Sequence, residues 1–183
     1  MAAPRRYPNP DPQSELLVLV PEAEDLVAPF RLSYDPAAAA GVPAHITVLF
    51  PFQNPSEIDH PSIDRLKACC RSFEPFDYKL VGSGRFPGLI YLVPSPDDRF
   101  IALTRSIWAA FPEHPPYEGK YPDIVPHLTV ASGLDESGVE RIAREIGAKA
   151  DRFLPITSRA TTLTLMDNIQ GPWAVVDQFD LGR

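Results

Sequence analysis

From Ser14 onward, apolar positions switch between spacings that suit strands and spacings that suit helices. Leu16 to Val20 is an unbroken apolar run, the pattern of a short buried strand. Leu26, Phe30 and Tyr34 then recur every fourth residue and share one helical face. Ala44 to Phe50 reads as a second strand. Beyond Pro51, Asp59 is a candidate N-cap, Pro61 falls in the first turn, and Ile63, Leu66, Cys70 and Phe73 line one side of a helix. Phe76 to Val81 and Leu89 to Val93 follow as strands, with Gly82-Ser83-Gly84 and Pro87-Gly88 supplying the turn chemistry of a hairpin.

The second half repeats this order. Asp97 or Asp98 is placed to cap a helix that buries Phe100, Leu103, Ile107, Trp108 and Phe111, and after a proline-rich loop Val125 to Ala131 is strand-like. A helix beginning at Asp135 puts Val139, Ile142, Ala143, Ile146 and Ala150 on one face. Thr161 to Met166 and Trp173 to Phe179 are then two strands around a Gly171-Pro172 turn. Each half therefore runs helix, strand, helix, hairpin. A duplication of this length predicts an α+β fold of two related lobes facing each other across a pseudo-twofold, with equivalent strands lining the cleft.

With 183 residues, 44% of them hydrophobic, the chain can build one proper core. Four prolines among residues 4 to 12 exclude a helix there, so 1–13 is expected to be a flexible tail and 14–183 a single two-lobed domain. The formal charge of −7 opposes binding of long duplex nucleic acid but leaves a small nucleotide or an RNA end as a partner. Cys69 and Cys70 are adjacent and have no other cysteine to pair with, which points to a reducing, cytoplasmic setting. No apolar stretch is long enough for a signal peptide or a membrane span, so no membrane partner is expected. Oligomeric state has no signature in the chain.

The strand after the first helix of each half carries matching words, Val42-Pro43-Ala44-His45-Ile46-Thr47-Val48 and Ile124-Val125-Pro126-His127-Leu128-Thr129-Val130. Residues i and i+2 of a strand share a face, so each motif turns one imidazole and one hydroxyl to the same side and apolar residues to the other. Two facing lobes would gather two imidazoles and two hydroxyls in one cleft. In-line displacement at phosphorus needs such a set: a base on the attacking oxygen, an acid on the leaving oxygen, and donors for the non-bridging oxygens. Histidine titrates near neutrality and can serve in either role. His45, His127, Thr47 and Thr129 are thus the candidate catalytic residues. A metal site through the two histidines lacks a third ligand at close spacing, so no metal or other cofactor is expected.

These residues resemble the 2H phosphoesterase superfamily, which includes the 2′-5′ RNA ligase-like proteins and cyclic nucleotide phosphodiesterases. The resemblance covers essentially Ser14 to the C-terminus. Arg31-Leu-Ser-Tyr34-Asp35-Pro36, leading into Pro43-Ala-His45-Ile-Thr47-Val-Leu-Phe50-Pro51-Phe52, looks like the first-motif region of a bacterial branch. It implies a duplicated α+β fold, with two antiparallel-rich sheets lining a central cleft and helices outside. It also implies metal-independent opening of 2′,3′-cyclic phosphates, with His45 and His127 as the acid and base and the threonines holding the phosphate. In some members it implies 2′-5′ ligation; the ligase branch carries an arginine five residues after the second histidine, where this chain has Ser132.

Arg31, Arg85 and Lys120 are candidates to supply positive charge to a bound substrate, and Phe86, Tyr91 and Tyr117 to stack on a base. A module that binds nucleotide or RNA ends without turning them over would use the same pocket and need no acid–base pair.

Overall fold

The computed structural model describes residues 11–183; the part of the expected tail at 1–10 lies outside the described residues. Immediately before the first strand, the Gln13 backbone N–H donates to Asn168 Oδ1 at 2.7 Å. The elements are β1 (Ser14–Leu19), α1 (Glu24–Tyr34), α2 (Pro36–Ala39), β2 (His45–Leu49), α3 (His60–Arg71), β3 (Phe76–Phe86), β4 (Leu89–Ser95), α4 (Asp98–Ala110), β5 (Leu128–Ala131), α5 (Glu136–Phe153), β6 (Ile156–Ala160), β7 (Thr162–Asp167) and β8 (Ala174–Asp180). The strands form two antiparallel sheets, ordered β2-β1-β7-β8 and β5-β4-β3-β6. Each His-x-Thr strand is an edge strand of its own sheet, and the two edges meet, since β2 and β5 are in contact.

The sheets do not divide the chain at its midpoint. β3, from the first half, pairs with β4 and β6 in the sheet of the second motif, whereas β7 and β8 complete the sheet of the first. The helices cross over as well. α1 packs against β5 and α4 against β2, so the helix preceding each motif strand supports the motif strand of the other half. The result is one continuous core, in which Leu16, Ile46 and Leu165 of one sheet join Leu80, Ile90 and Leu128 of the other.

The helix starts follow the predicted chemistry at two places. Asp59 accepts from Ser62 N–H at 2.9 Å and Asp135 from Gly138 N–H at 2.7 Å, each satisfying an amide of the first turn that has no helical partner. Asp97 occupies the N-cap position of α4, but its side chain makes no capping bond.

Three expectations are corrected, and one strand was not foreseen. Gly82-Ser83-Gly84 is not part of the turn: β3 runs on to Phe86, with partners on β4 down to Leu89, and the turn is confined to Pro87-Gly88, where Gly88 has φ +72°. Gly84 is needed for contact, since a Cβ there would lie 2.4 Å from the Tyr91 ring. Val125 to His127 have no ladder partner, so β5 begins only at Leu128. Trp108, expected in the core, is 39% exposed. Finally, β6 escapes a reading by hydrophobicity because only Ile156, Ser158 and Ala160 face inward, while Thr157 and Arg159 are exposed.

Candidate active site

In β2, His45 lies opposite Leu19 of β1 and Thr47 opposite Leu17, so imidazole and hydroxyl project from one face of the sheet. Ile46 and Val48 point the other way into the core, at 0% and 3% exposure. The second motif repeats this division: Leu128 and Val130 are buried, and Thr129 stands opposite Tyr91 of β4.

Both rings are held by the same local bond. His45 Nδ1 lies 2.7 Å from the carbonyl oxygen of Pro43, and His127 Nδ1 lies 2.8 Å from that of Val125, in each case two residues earlier. A carbonyl only accepts, so Nδ1 carries the proton and donates, which leaves Nε2 of each neutral ring with a free lone pair. The backbone thereby selects the tautomer that a base needs at Nε2.

Burial lowers the pKa of His45 to about 4, opposed by the Pro43 bond, helped by the Arg31 charge, opposed by Asp35, and helped by His127. His127 is lowered too, by burial, against the bond to Val125. The two rings are thus close enough to feel each other's charge, and both are neutral near pH 7 when the cleft is empty. An anion placed between them would raise both values, because it favours the charged imidazolium.

The predicted substrate-binding residues fall into two groups. Phe86 and Tyr91 stack on each other at 4.5 Å and flank His127, with ring centroids 5.4 and 5.3 Å away. Tyr117 reaches the first motif: it lines the same cavity as Thr47, and burial pushes its phenol upward, opposed by the Thr47 hydroxyl. The loop that presents it is bent into the left-handed region at two non-glycine residues, Tyr117 (φ 51°) and Glu118 (φ 56°), and is anchored by Tyr117 N–H to Phe50 O at 2.6 Å.

None of the three predicted cations is brought to the histidines as a free charge. Arg31 is 2% exposed and occupied with Asp35, with Nε and Nη2 each 2.9 Å from Oδ2. Arg85 is exposed and projects from the face of β3 opposite to Gly84 and Phe86. Lys120 is exposed, with Nζ over the Tyr121 ring at 5.4 Å.

Beside Thr47 lies a cavity of about 310 Å³ between α4 and the loop before β5, lined by Thr104, Arg105, Trp108, Tyr117 and Tyr121 among others; neither histidine lines it. Two acidic residues that the motifs gave no reason to select also lie near the site, Asp35 with Arg31 and Glu15 on β1. Glu15 carried a signal in the chain: a charge directly before the apolar run Leu16 to Val20, at the same parity as Leu17 and Leu19. Among the described residues no group of three or more His, Cys, Asp or Glu side chains is arranged to hold a metal ion.

Two antiparallel sheets with helices, meeting at a pair of His-x-Thr edge strands, define a 2H phosphoesterase-like protein. The family model of the 2′-5′ RNA ligase superfamily matches residues 19–172, and the chain belongs to that family. A protein of Oceanobacillus iheyensis named Putative phosphoesterase is 24% identical over 168 residues, covering 87% of this chain and 92% of its own. One of the same name from Bacillus anthracis is 26% identical over 163 residues, covering 87% and 91%. In fold, the chain is similar to E. coli LigT complexed with 3′-AMP, with a TM-score of 0.59, 16% identity and coverage of 94% of this chain and 99% of that one. A crystal structure described as phosphoesterase gives a TM-score of 0.59 at 14% identity, covering 97% and 100%.

Proposed function

We propose that this protein is a metal-independent phosphoesterase that opens a cyclic phosphodiester, the 2′,3′-cyclic phosphate of a nucleotide or of an RNA end. The observation that carries the reading is the pair of imidazoles, each fixed through Nδ1 to its own backbone and each left with a free Nε2. Water attacks phosphorus, and one Nε2 takes its proton. The bond from phosphorus to the 2′ or 3′ oxygen breaks, and the other imidazole, protonated, gives that oxygen its proton. The ring that acts as base is already in its reactive form. Its partner becomes the acid when the phosphate anion raises its pKa. The hydroxyls of Thr47 and Thr129 donate to the non-bridging oxygens, where charge grows in the transition state.

Three features support a small substrate. The net charge is −7, which disfavours long polyanions. LigT structures of the same fold hold 3′-AMP, NADP+ or ATP. Position 132, where the ligase branch has arginine, carries Ser132, whose backbone N–H is bonded to Tyr34 O. Cys69 and Cys70 are free thiols, in keeping with a reducing, cytoplasmic setting.

The test is hydrolysis of a panel of 2′,3′-cyclic nucleotides and of an RNA ending in a cyclic phosphate, in EDTA, across pH. Turnover with a bell-shaped profile is expected. Binding without turnover would replace the enzyme reading with that of a recognition module, and a strict requirement for zinc would make the histidines ligands.

A further inference from the structure

We infer that Glu15 is a substrate-recognition residue, its carboxyl standing on the cleft-facing side of the first sheet to receive a hydrogen-bond donor of the substrate's nucleoside. The inference rests on the proposal that the cleft takes a nucleoside phosphate.

The placement follows from strand register. Glu15, Leu17 and Leu19 alternate onto one face of β1, and Leu17 and Leu19 are the partners of Thr47 and His45 on β2. Across the other ladder, Glu15 pairs with Met166 and Leu17 with Thr164, so the same face continues onto β7. Glu15 is therefore about 7 Å along the strand from the residue that faces Thr47, by the rise of a strand, a span comparable to one ribose or base beyond a phosphate held by that threonine. Tyr117 lies close to both: it lines the same cavity as Thr47, and burial, with the charge of Glu15 adding to it, raises its phenol.

The surroundings of the carboxyl leave it without a structural task. It is 6% exposed and makes no hydrogen bond among the described residues. Its neighbours on that face, Leu17, Leu19 and Met166, are apolar and form a small cluster of their own. Thr164 accepts a hydrogen bond from Gln178 Nε2 at 3.3 Å and makes none with Glu15. The charged and titratable groups that reach Glu15 are Arg31 and Asp35 from α1 and its C-terminal end, and Tyr117 from the loop before β5; Arg31 is paired with Asp35. Burial is the largest influence on the carboxyl and lifts its pKa to about 7.

A buried, unbonded carboxyl beside an active-site threonine works against folding, since an apolar residue of similar size would pack there at lower cost. A ligand that supplies the missing donor removes that cost, so the energy is recovered only when a matching group is bound. The matching groups are an N–H of the base or the free hydroxyl of the ribose.

Calorimetric binding of the four nucleoside 3′-monophosphates and of inorganic phosphate, with wild type, Glu15→Gln and Glu15→Leu, tests the assignment. At least a tenfold loss of nucleotide affinity is expected in both variants, with phosphate affinity unchanged and with the melting temperature of Glu15→Leu at or above that of wild type. A loss confined to particular bases assigns the donor to the base, and an equal loss across all four assigns it to the ribose. On any cyclic nucleotide that is turned over, KM rises at least tenfold while kcat changes less than threefold. Unchanged nucleotide affinity in both variants overturns the inference, as does a parallel loss of phosphate affinity; Glu15→Gln, of equal volume, carries the test if Glu15→Leu fails to fold. Nucleotide affinity that depends on Glu15 without any turnover would remove the proposed reaction and leave the recognition site standing.

Discussion

His45 and His127 each hold a carbonyl two residues back through Nδ1, yet the two rings are supported by different chemistry. His45 lies within reach of the buried Arg31–Asp35 pair and stays neutral down to about pH 4, whereas His127 stands against Phe86 and Tyr91. Duplication preserved the part of the site that chemistry constrains, one imidazole and one hydroxyl per strand. It left free the means of holding each ring, because any rigid and complementary neighbour serves.

The largest effect is expected at the ionic support of His45. Arg31→Met removes one partner of a pair whose members are 2% and 6% exposed and leaves the Asp35 carboxylate uncompensated, so urea unfolding should register a loss of about 3–5 kcal/mol.

Acid acts on two buried groups that both prefer to be neutral. Glu15 is raised from 4.5 to about 7, so its contribution is fully present below pH 4.5 and is lost as pH rises toward 7. His45 is lowered from 6.5 to about 4, so its contribution is fully present above pH 6.5 and is lost as pH falls toward 4. Each amounts to about 3 kcal/mol, and in wild type they largely offset one another over this range. Unfolding midpoints measured from pH 7.5 to 4 should fall more steeply in Glu15→Leu than in wild type and less steeply in His45→Gln.

The catalytic halves should behave alike despite their unequal supports. His45→Ala and His127→Ala should each lower kcat at least a hundredfold, about 2.7 kcal/mol of barrier, and the double variant should be little worse than either single one. An intact single variant would remove that histidine from the proposed mechanism.

The aromatic support is probed at Gly84, where a Cβ would lie 2.4 Å from the Tyr91 ring, with Gly82, where nothing lies within 4 Å, as its control. Gly84→Ala should destabilise by about 1–3 kcal/mol and reduce turnover by displacing Tyr91 from His127. Gly82→Ala should fall within about 0.5 kcal/mol of wild type.

The smallest effect is also the most symmetric. Asp59→Ala and Asp135→Ala remove equivalent caps from α3 and α5, and calorimetric melts should show small and equal drops.

Most elements were legible because local rules determined them. Three- and four-residue spacings marked α1, α3, α4 and α5, carboxylate caps marked two helix starts, and the strand period put His45 with Thr47, while His127 stands immediately ahead of the strand that carries Thr129. Glycine chemistry misled at Gly82-Ser83-Gly84, since the same residue that frees a turn also makes room for an aromatic ring, and only the position of Tyr91 tells the two apart.

The chain by itself determined each motif and each element type, from spacings shorter than one element, and the order of those elements determined the repeat and the α+β class. The tertiary structure alone decided that β3 joins the sheet of the other half, that α1 and α4 exchange motif strands, that Arg31 is sealed against Asp35 and that Glu15 faces the same side as Thr47. These depend on which edge each strand joins and on which distant residues close over it. Such choices are made by burial across the whole core, which no local period records.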